Sequence, residues 1–254
     1  MLKTRVMPCL LLMNKGLYKT VKFKNPDYVG DPINAIKIYN EKEVDELIFL
    51  DILASQERKE PDYKVIADIA SECFMPLCYG GGITKLEEVK RILEIGVEKI
   101  SLNTSAIENP KLITEIANSF GNQSVIVSID VKKNFWGKLE VYKNRGTKSI
   151  AENPVTFAKK MEEYGAGELL ITNIEKEGTW DGYDIDLIRS ITSAVSIPVI
   201  ANGGAGNLVH LESAVKDANA SAVAMGSMVV YQKKGFGVLI NFPKRNDLEL
   251  MLEK

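Results

Sequence analysis

Met75-Pro76-Leu77-Cys78-Tyr79-Gly80-Gly81-Gly82-Ile83 opens a stretch that closes on Ile100-Ser101-Leu102-Asn103-Thr104-Ser105, and the chain then repeats it. The second copy opens Ile197-Pro198-Val199-Ile200-Ala201-Asn202-Gly203-Gly204-Ala205 and closes on Val223-Ala224-Met225-Gly226-Ser227. Pro76 and Pro198, Gly81 and Gly203, Gly82 and Gly204, and Ser105 and Ser227 are each 122 residues apart. A constant offset without a gap marks an internal repeat. Each copy runs proline, short apolar segment, glycines, helical segment, second apolar segment, then a small polar residue. That order is strand–loop–helix–strand, with glycine where the backbone must approach something closely.

Outward from the repeat, short apolar runs alternate with helical patterns. Strands are expected near 6–12, 46–51, 76–79, 99–103, 124–130, 168–173, 198–201 and 222–225. Helices are expected near 32–42, 62–73, 85–95, 110–120, 154–164, 183–193, 208–217 and at the C-terminus. Asn109-Pro110 and Asn153-Pro154 read as N-cap and first-turn pairs. Eight apolar strands alternating with helices make an α/β protein with a parallel sheet. In two repeated halves they close most naturally into a single (β/α)8 TIM barrel over 1–254, with half-barrels of about 1–122 and 123–254. An open doubly wound sheet is the alternative.

Composition narrows the function. A hydrophobic content of 45%, a charged content of 26% and a net charge of −2 describe a soluble protein with a sizeable core and no basic nucleic-acid surface. The N-terminal segment MLKTRVMPCLLLMNKG is too short and wrongly flanked for a signal peptide, and no run approaches a membrane span, so a cytoplasmic protein without membrane contact is expected. Cys9, Cys73 and Cys78 lack metal-ligand spacing, and His210 is the only histidine. Neither a metal site nor a Ser–His triad is expected.

Loops after the strands form the active face of such a barrel. Three are unusual. Residues 13–30 make a long loop with Lys15, Lys19, Lys22 and Lys24; residues 131–149 read as an inserted hairpin; residues 174–182 (IEKEGTWDG) follow the sixth strand. The lysine loop reads either as a solvated face or as a lid over an anionic ligand. The repeated glycine pairs read either as steric turns or as two backbone anion cradles, one per half, suited to a substrate with a phosphate at each end. Asp51 and Asp130 each end a buried run, where proton transfer can be tuned, although either can also be a cap. Asn103, Asn173 and Asn202 end other strands and can hydrogen-bond a polyhydroxylated ligand. At the strand starts stand Arg5, Glu46, Lys99 and Glu168, a possible salt-bridged plug across the floor or a plain stability network.

In order along the chain, PCL (8–10), GDP (30–32), DELIFLDI (45–52), GGGI (80–83), KISLNTSAIENP (99–110), SIDVK (128–132), GAGELLITNI (165–174) and GGAG (203–206) resemble the cyclase subunit of imidazole glycerol phosphate synthase. The resemblance covers nearly the whole chain. It implies a lyase-type barrel, without cofactor, that docks a glutaminase on its N-terminal face and passes ammonia through a charged gate to a bis-phosphorylated ribulosyl carboxamide at the opposite face. By it, Arg5, Glu46, Lys99 and Glu168 match the gate. Gly82, Asn103 and Thr104 match one phosphate site, and Gly178, Gly204, Gly226 and Ser227 match the other. Lys19 matches a mobile loop lysine, and Asp130 one of two catalytic aspartates.

The second aspartate is absent. The family's first strand ends CLD, whereas Cys9-Leu10-Leu11 puts an isobutyl group in its place, and Leu11 neither gives nor takes a proton. Losing one member of an acid–base pair costs roughly two to four decades of rate. Glu177 also stands where the family usually has Asp. The sequence from Cys9 to Ile36, with CYGGGI and NFWGK, resembles a specialised branch found with a glutaminase and a sugar amidotransferase in bacterial surface-polysaccharide (lipopolysaccharide) biosynthesis. That resemblance implies ammonia delivery for an acetamidino sugar; the alternatives are authentic cyclisation in histidine biosynthesis and a non-catalytic scaffold.

Overall fold

The computed structural model describes residues 4–253. Eight parallel strands form its centre: β1 (Arg5–Met13), β2 (Leu47–Asp51), β3 (Leu77–Gly80), β4 (Lys99–Leu102), β5 (Val125–Lys133), β6 (Glu168–Asn173), β7 (Val199–Asn202) and β8 (Ala222–Met225). Each pairs with its sequence neighbours, and β8 pairs back onto β1, from Arg5 opposite Ala222 to Pro8 opposite Met225. The sheet is therefore closed, and the open-sheet alternative falls. Around it lie α1 (Pro32–Glu41), α2 (Tyr63–Glu72), α3 (Leu86–Glu94), α4 (Lys111–Phe120), α5 (Pro154–Glu163), α6 (Ile185–Thr192), α7 (Leu208–Lys216) and α8 (Arg245–Leu252).

Local chemistry explains the helix starts. Asp31, Asp62, Asn153, Asp184 and Asn207 each accept a backbone N–H from the first turn of the helix they precede, satisfying donors that the helix itself leaves without partners. Asn109 does not behave as its sequence predicts. Pro110 occupies the cap position of α4 and no side chain bonds there. A short helix, Thr104–Glu108, runs straight into α4, and the Asn109 carbonyl accepts from Leu112 N at 3.1 Å. The backbone does what the asparagine was expected to do.

The core has two compartments. The larger lies between strands and helices and includes Leu10, Phe49, Ile100, Val127, Phe157 and Ile188. The smaller fills the barrel axis with Met7, Cys9, Ile48, Cys78, Ile126, Leu170, Ile200, Ala222 and Ala224. Strand side chains alternate between these compartments, as the period of two requires. Cys9 and Cys78 are buried as expected, and burial pushes the Cys9 thiol up to about 12, leaving it protonated.

The repeat is visible in three dimensions. Gly81 and Gly82 follow β3, and Gly203 and Gly204 follow β7, all four with positive φ. Thr104 and Ser227 each begin a short helix after the next strand. The half-barrels share a further feature: β1 and β5 both run on into antiparallel hairpins. For β5 this is the expected insertion, with Leu139–Lys143 pairing back from Lys133 to Asp130. For β1 the hairpin replaces the expected long loop. Gly16–Val21 pairs with β1 and Lys24–Gly30 pairs with Gly16–Val21. Asn14 and Lys15 both have positive φ, the geometry of a tight two-residue hairpin turn whose twist suits the flanking strands. Residues 13–30 are thus sheet, not irregular chain.

Candidate active site at the barrel mouth

A cavity opens at the C-terminal ends of the strands. Its wall includes Leu11, Lys19, Asp51, Gly82, Asn103, Thr104, Asp130, Gly178, Gly204, Gly226 and Ser227. Apart from Asn173, the strand-end and glycine residues singled out for substrate or catalysis are brought together there, from both half-barrels.

Asp130 is half-buried in this wall. Desolvation, with a smaller push from the Glu177 carboxylate, raises its carboxyl from 3.8 to about 7. A carboxyl poised near neutrality can serve as either acid or base. Leu11 lines the same cavity and adds no titratable group. The hairpin strand Gly16–Val21 lies against it, with Leu11 opposite Tyr18.

Lys19 lies in a strand rather than in irregular chain. It is buried in that hairpin strand, its ammonium ion-paired with Glu177 and donating to the Thr20 carbonyl at 3.1 Å. Glu177, a substitution in the sequence and a candidate to stand in for the missing acid, organises this side of the mouth. Its carboxylate also accepts from Thr20 Oγ1 and Phe23 N, each at 3.1 Å, and its carbonyl accepts from Lys22 N at 2.9 Å. Gly178 lets the two segments touch, because a Cβ there would run into the Thr20 carbonyl. Gly226 lies directly under the Lys19 side chain, where a Cβ would come 2.8 Å from Cε.

Other side chains are partly committed. Asp51 Oδ1 accepts from Leu53 N at 3.0 Å and Ala54 N at 3.1 Å, so it caps a turn as well as facing the cavity. Asn103 Nδ2 donates to the Ser128 and Tyr142 carbonyls at 3.1 and 3.2 Å, fastening the β5 hairpin to the rim. Thr104 Oγ1 accepts from Asn144 N at 3.2 Å in the same hairpin. Asn202 Nδ2 donates to Thr172 Oγ1 at 3.0 Å. Asn173 is no part of the cavity wall: it donates to Asp184 Oδ2 at 2.6 Å and accepts from Glu175 N at 2.8 Å. Its expected ligand contact is corrected to a structural one. Ser101 and Ser128, bonded to each other at 2.6 Å, and Arg145 and Phe23 also line the cavity and were missed. Ser101 and Ser128 each stand two residues before a singled-out position, Asn103 and Asp130, so the period of two was the available signal.

At the opposite end the four charges form a closed ring. Arg5 bonds Glu46 at 2.7 Å and Glu168 at 2.6 Å; Lys99 bonds Glu46 at 3.0 Å and Glu168 at 2.7 Å. Both glutamates are buried. Among the described residues Glu46 Oε1 is a buried oxygen with no protein partner. Between ring and mouth lies the apolar axial compartment. Beside the ring, Glu98 Oε2 accepts from Leu77 N at 2.6 Å, holding the turn into β3. No helix among the described residues is long and apolar enough to cross a membrane.

A parallel (β/α)8 barrel with a glycine-walled, carboxylate-bearing mouth and a charged floor defines a class of barrels that work at strand C-termini. Comparison with known proteins narrows the class. The family model described as histidine biosynthesis protein matches residues 5–235, and the chain belongs to that family. It is 50% identical over 250 residues to a Pseudomonas aeruginosa protein provisionally named imidazole glycerol phosphate synthase subunit hisF2, covering 98% of this chain and 100% of that one. It is 47% identical to a Leptospira interrogans protein provisionally named subunit HisF of the same synthase, covering 99% of each chain. A Vibrio vulnificus protein, provisionally named subunit hisF3, is 46% identical and covers 100% of this chain and 98% of its own. The family resemblance read from the motifs is thereby borne out.

Proposed function

We propose that this chain is a cyclase-type barrel that partners a glutaminase and conducts ammonia from floor to mouth for amidino-sugar formation in surface-polysaccharide biosynthesis. The observation that carries the proposal is the pairing of a closed charged ring with a mouth in which Leu11 lines the wall, at the position where the family resemblance leads one to expect an acid. On this reading the ring serves admission, and the mouth lacks one member of the acid–base pair that cyclisation would use. In this reading Arg5, Glu46, Lys99 and Glu168 are the gate. The glutaminase sits on the strand-start face, with Glu98 at its edge. The axial compartment from Met7 to Ala224 excludes ions, because a charge there would be stripped of water without compensation. A neutral ammonia molecule meets no such barrier.

At the mouth, Gly82, Asn103 and Thr104 hold one phosphate and Gly178, Gly204, Gly226 and Ser227 the other, mainly through backbone N–H groups, while Lys19 supplies a cation between them. Asp51 and Asp130 complete the wall of this bis-phosphate site. One observation favours a second reading, authentic cyclisation of the ribulosyl carboxamide with ammonia in histidine biosynthesis. Asp130 titrates near neutrality, and Glu177 is a second carboxylate in the same cavity.

The test is turnover of the family's bis-phosphorylated substrate by the pure chain with saturating ammonium salt, beside complementation of a histidine auxotroph. The channelling reading expects negligible turnover and no complementation, with stimulation of a partner glutaminase retained. Turnover on the order of one per second or faster, in the ordinary enzyme range, would overturn it.

A further inference from the structure

The rim of the mouth carries a pattern that neither catalysis nor phosphate binding uses. Three segments project from the C-terminal ends of different strands, and each joins exposed apolar side chains to lysines. The turn between Gly16–Val21 and Lys24–Gly30 presents Val21 beside Lys22 and Lys24. The tip of the β5 hairpin presents Phe135 and Trp136, 95% and 80% exposed, between Lys133 and Lys138. The segment after β8 presents Phe236, Val238 and Leu239 beyond Lys233 and Lys234, and Lys234 ties it to Asp181 of the mouth loop at 3.1 Å.

Charge is unevenly shared. Residues 131–149 hold six Lys and Arg against the single acid Glu140, residues 21–24 hold two lysines and residues 232–239 two more. These segments carry nine excess positive charges in a chain whose net charge is −2, so the remainder carries an excess of eleven negative ones.

The backbone of the aromatic tip is braced by Asn134. Asn134 N donates to Lys138 O at 2.8 Å, its Oδ1 accepts from Trp136 N at 2.9 Å and Lys138 N at 3.0 Å, and its Nδ2 donates to Glu140 at 2.6 Å. The two rings meet edge to face at 6.0 Å. Aromatic side chains have few rotatable bonds to order on insertion, the property that makes them strong anchors in protein pockets. The base of the same hairpin is bonded to Asn103 and Thr104, so the tip is carried by an element fastened to the rim of the mouth.

We propose that this basic, aromatic rim is the docking surface for the protein that accepts ammonia, a partner with an apolar pocket ringed by carboxylates. The inference rests on the conduit reading above, since a barrel that does not consume ammonia must be capped by the enzyme that does. A protein is favoured over a lipid surface because the aromatic tip is small and carried on a hairpin fastened to the rim of the mouth. A bilayer would reward a larger and more adaptable apolar face.

The test uses the full chain with its glutaminase and the purified sugar amidotransferase, following nitrogen from labelled glutamine into the acceptor sugar. Phe135→Ser with Trp136→Ser, and separately Lys133→Glu with Lys138→Glu, should leave glutaminase stimulation and ammonium-driven amidation unchanged. Each pair should raise the amidotransferase concentration needed for half-maximal glutamine-driven amidation by about tenfold or more. The effect of the lysine pair should shrink at high salt. Wild-type chain that stimulates the glutaminase but passes no nitrogen to the acceptor would defeat the conduit reading itself. Efficient transfer that both double variants reproduce would defeat only the docking proposal. So would variants that lose binding to phosphatidylcholine–phosphatidylserine vesicles while transfer stays intact.

Discussion

Asp130→Asn removes a charge that the fold holds at a disadvantage, and the result should be a more stable protein whose advantage depends on pH. The Asp130 carboxyl rises from 3.8 to about 7 on folding, chiefly through desolvation. A raised carboxyl pKa means that the folded state prefers the protonated form. Its contribution is fully present below the unfolded pKa and is lost as pH rises through the folded one. At ~1.4 kcal/mol per pH unit the full displacement corresponds to ~4 kcal/mol, an upper figure for a side chain still partly open to the cavity. Linkage puts the loss at ~1.7 kcal/mol by pH 5 and ~4 by pH 8, so the difference between those two conditions is ~2.5 kcal/mol. Asparagine has the same shape and does not titrate. Urea unfolding of both proteins at pH 5, 6.5 and 8 should therefore show the variant's advantage widening by ~1–3 kcal/mol over that range and levelling off above pH 8. An advantage that is equal at pH 5 and pH 8 would refute the argument, because it would mean that Asp130 is solvated and ionises normally.

Glu177→Gln removes the buried anion opposite Lys19 and should free the first hairpin, with faster amide hydrogen exchange at Lys22 and Phe23 than at Tyr18. Its loss also removes one of the two influences raising Asp130, so the pH at which the Asp130 carboxyl titrates, followed by NMR, should fall. Lys99→Ala leaves Glu46 and Glu168 short of a cation in a buried ring; roughly 3 kcal/mol of destabilisation is expected for such a break. In the glutaminase complex the surviving folded fraction should leak ammonia to solution instead of delivering it, and intact coupling would show the ring to be structural alone. Leu11→Asp should cost about 1–3 kcal/mol of stability by placing an acid against apolar neighbours. It should also raise cyclisation of the family substrate above the wild-type level, measured with ammonium salt, since Asp130 remains across the mouth; no gain would mean that more than the missing acid separates this chain from a cyclase.

The barrel was legible because its signals are strong and local: apolar strands at regular spacing, helix caps such as Asn153, and a repeat whose glycines mark corresponding turns. The mouth residues were legible because the ends of buried strands are known positions once a barrel is accepted. What escaped the sequence depended on pairing. Nothing in GLYKTV distinguishes a lysine-bearing loop from a strand whose lysine turns inward, and the decision lies with Glu177, 158 residues away from Lys19. Asn173 looked equivalent to Asn103 and Asn202, yet Asp184 at the start of α6 draws it aside. Asn109 had the composition of a cap, but the short helix before it supplied a backbone solution first.

The doubled architecture has one more consequence. β1 and β5 are counterparts, each running on into a hairpin that leans over the mouth, and only the β5 end bears an acid. A fold assembled twice holds a spare of every wall. One copy can surrender a reactive group while its twin, bonded to it around a closed ladder, keeps the enclosure in shape. Geometry and chemistry can then drift at different speeds, one wall at a time.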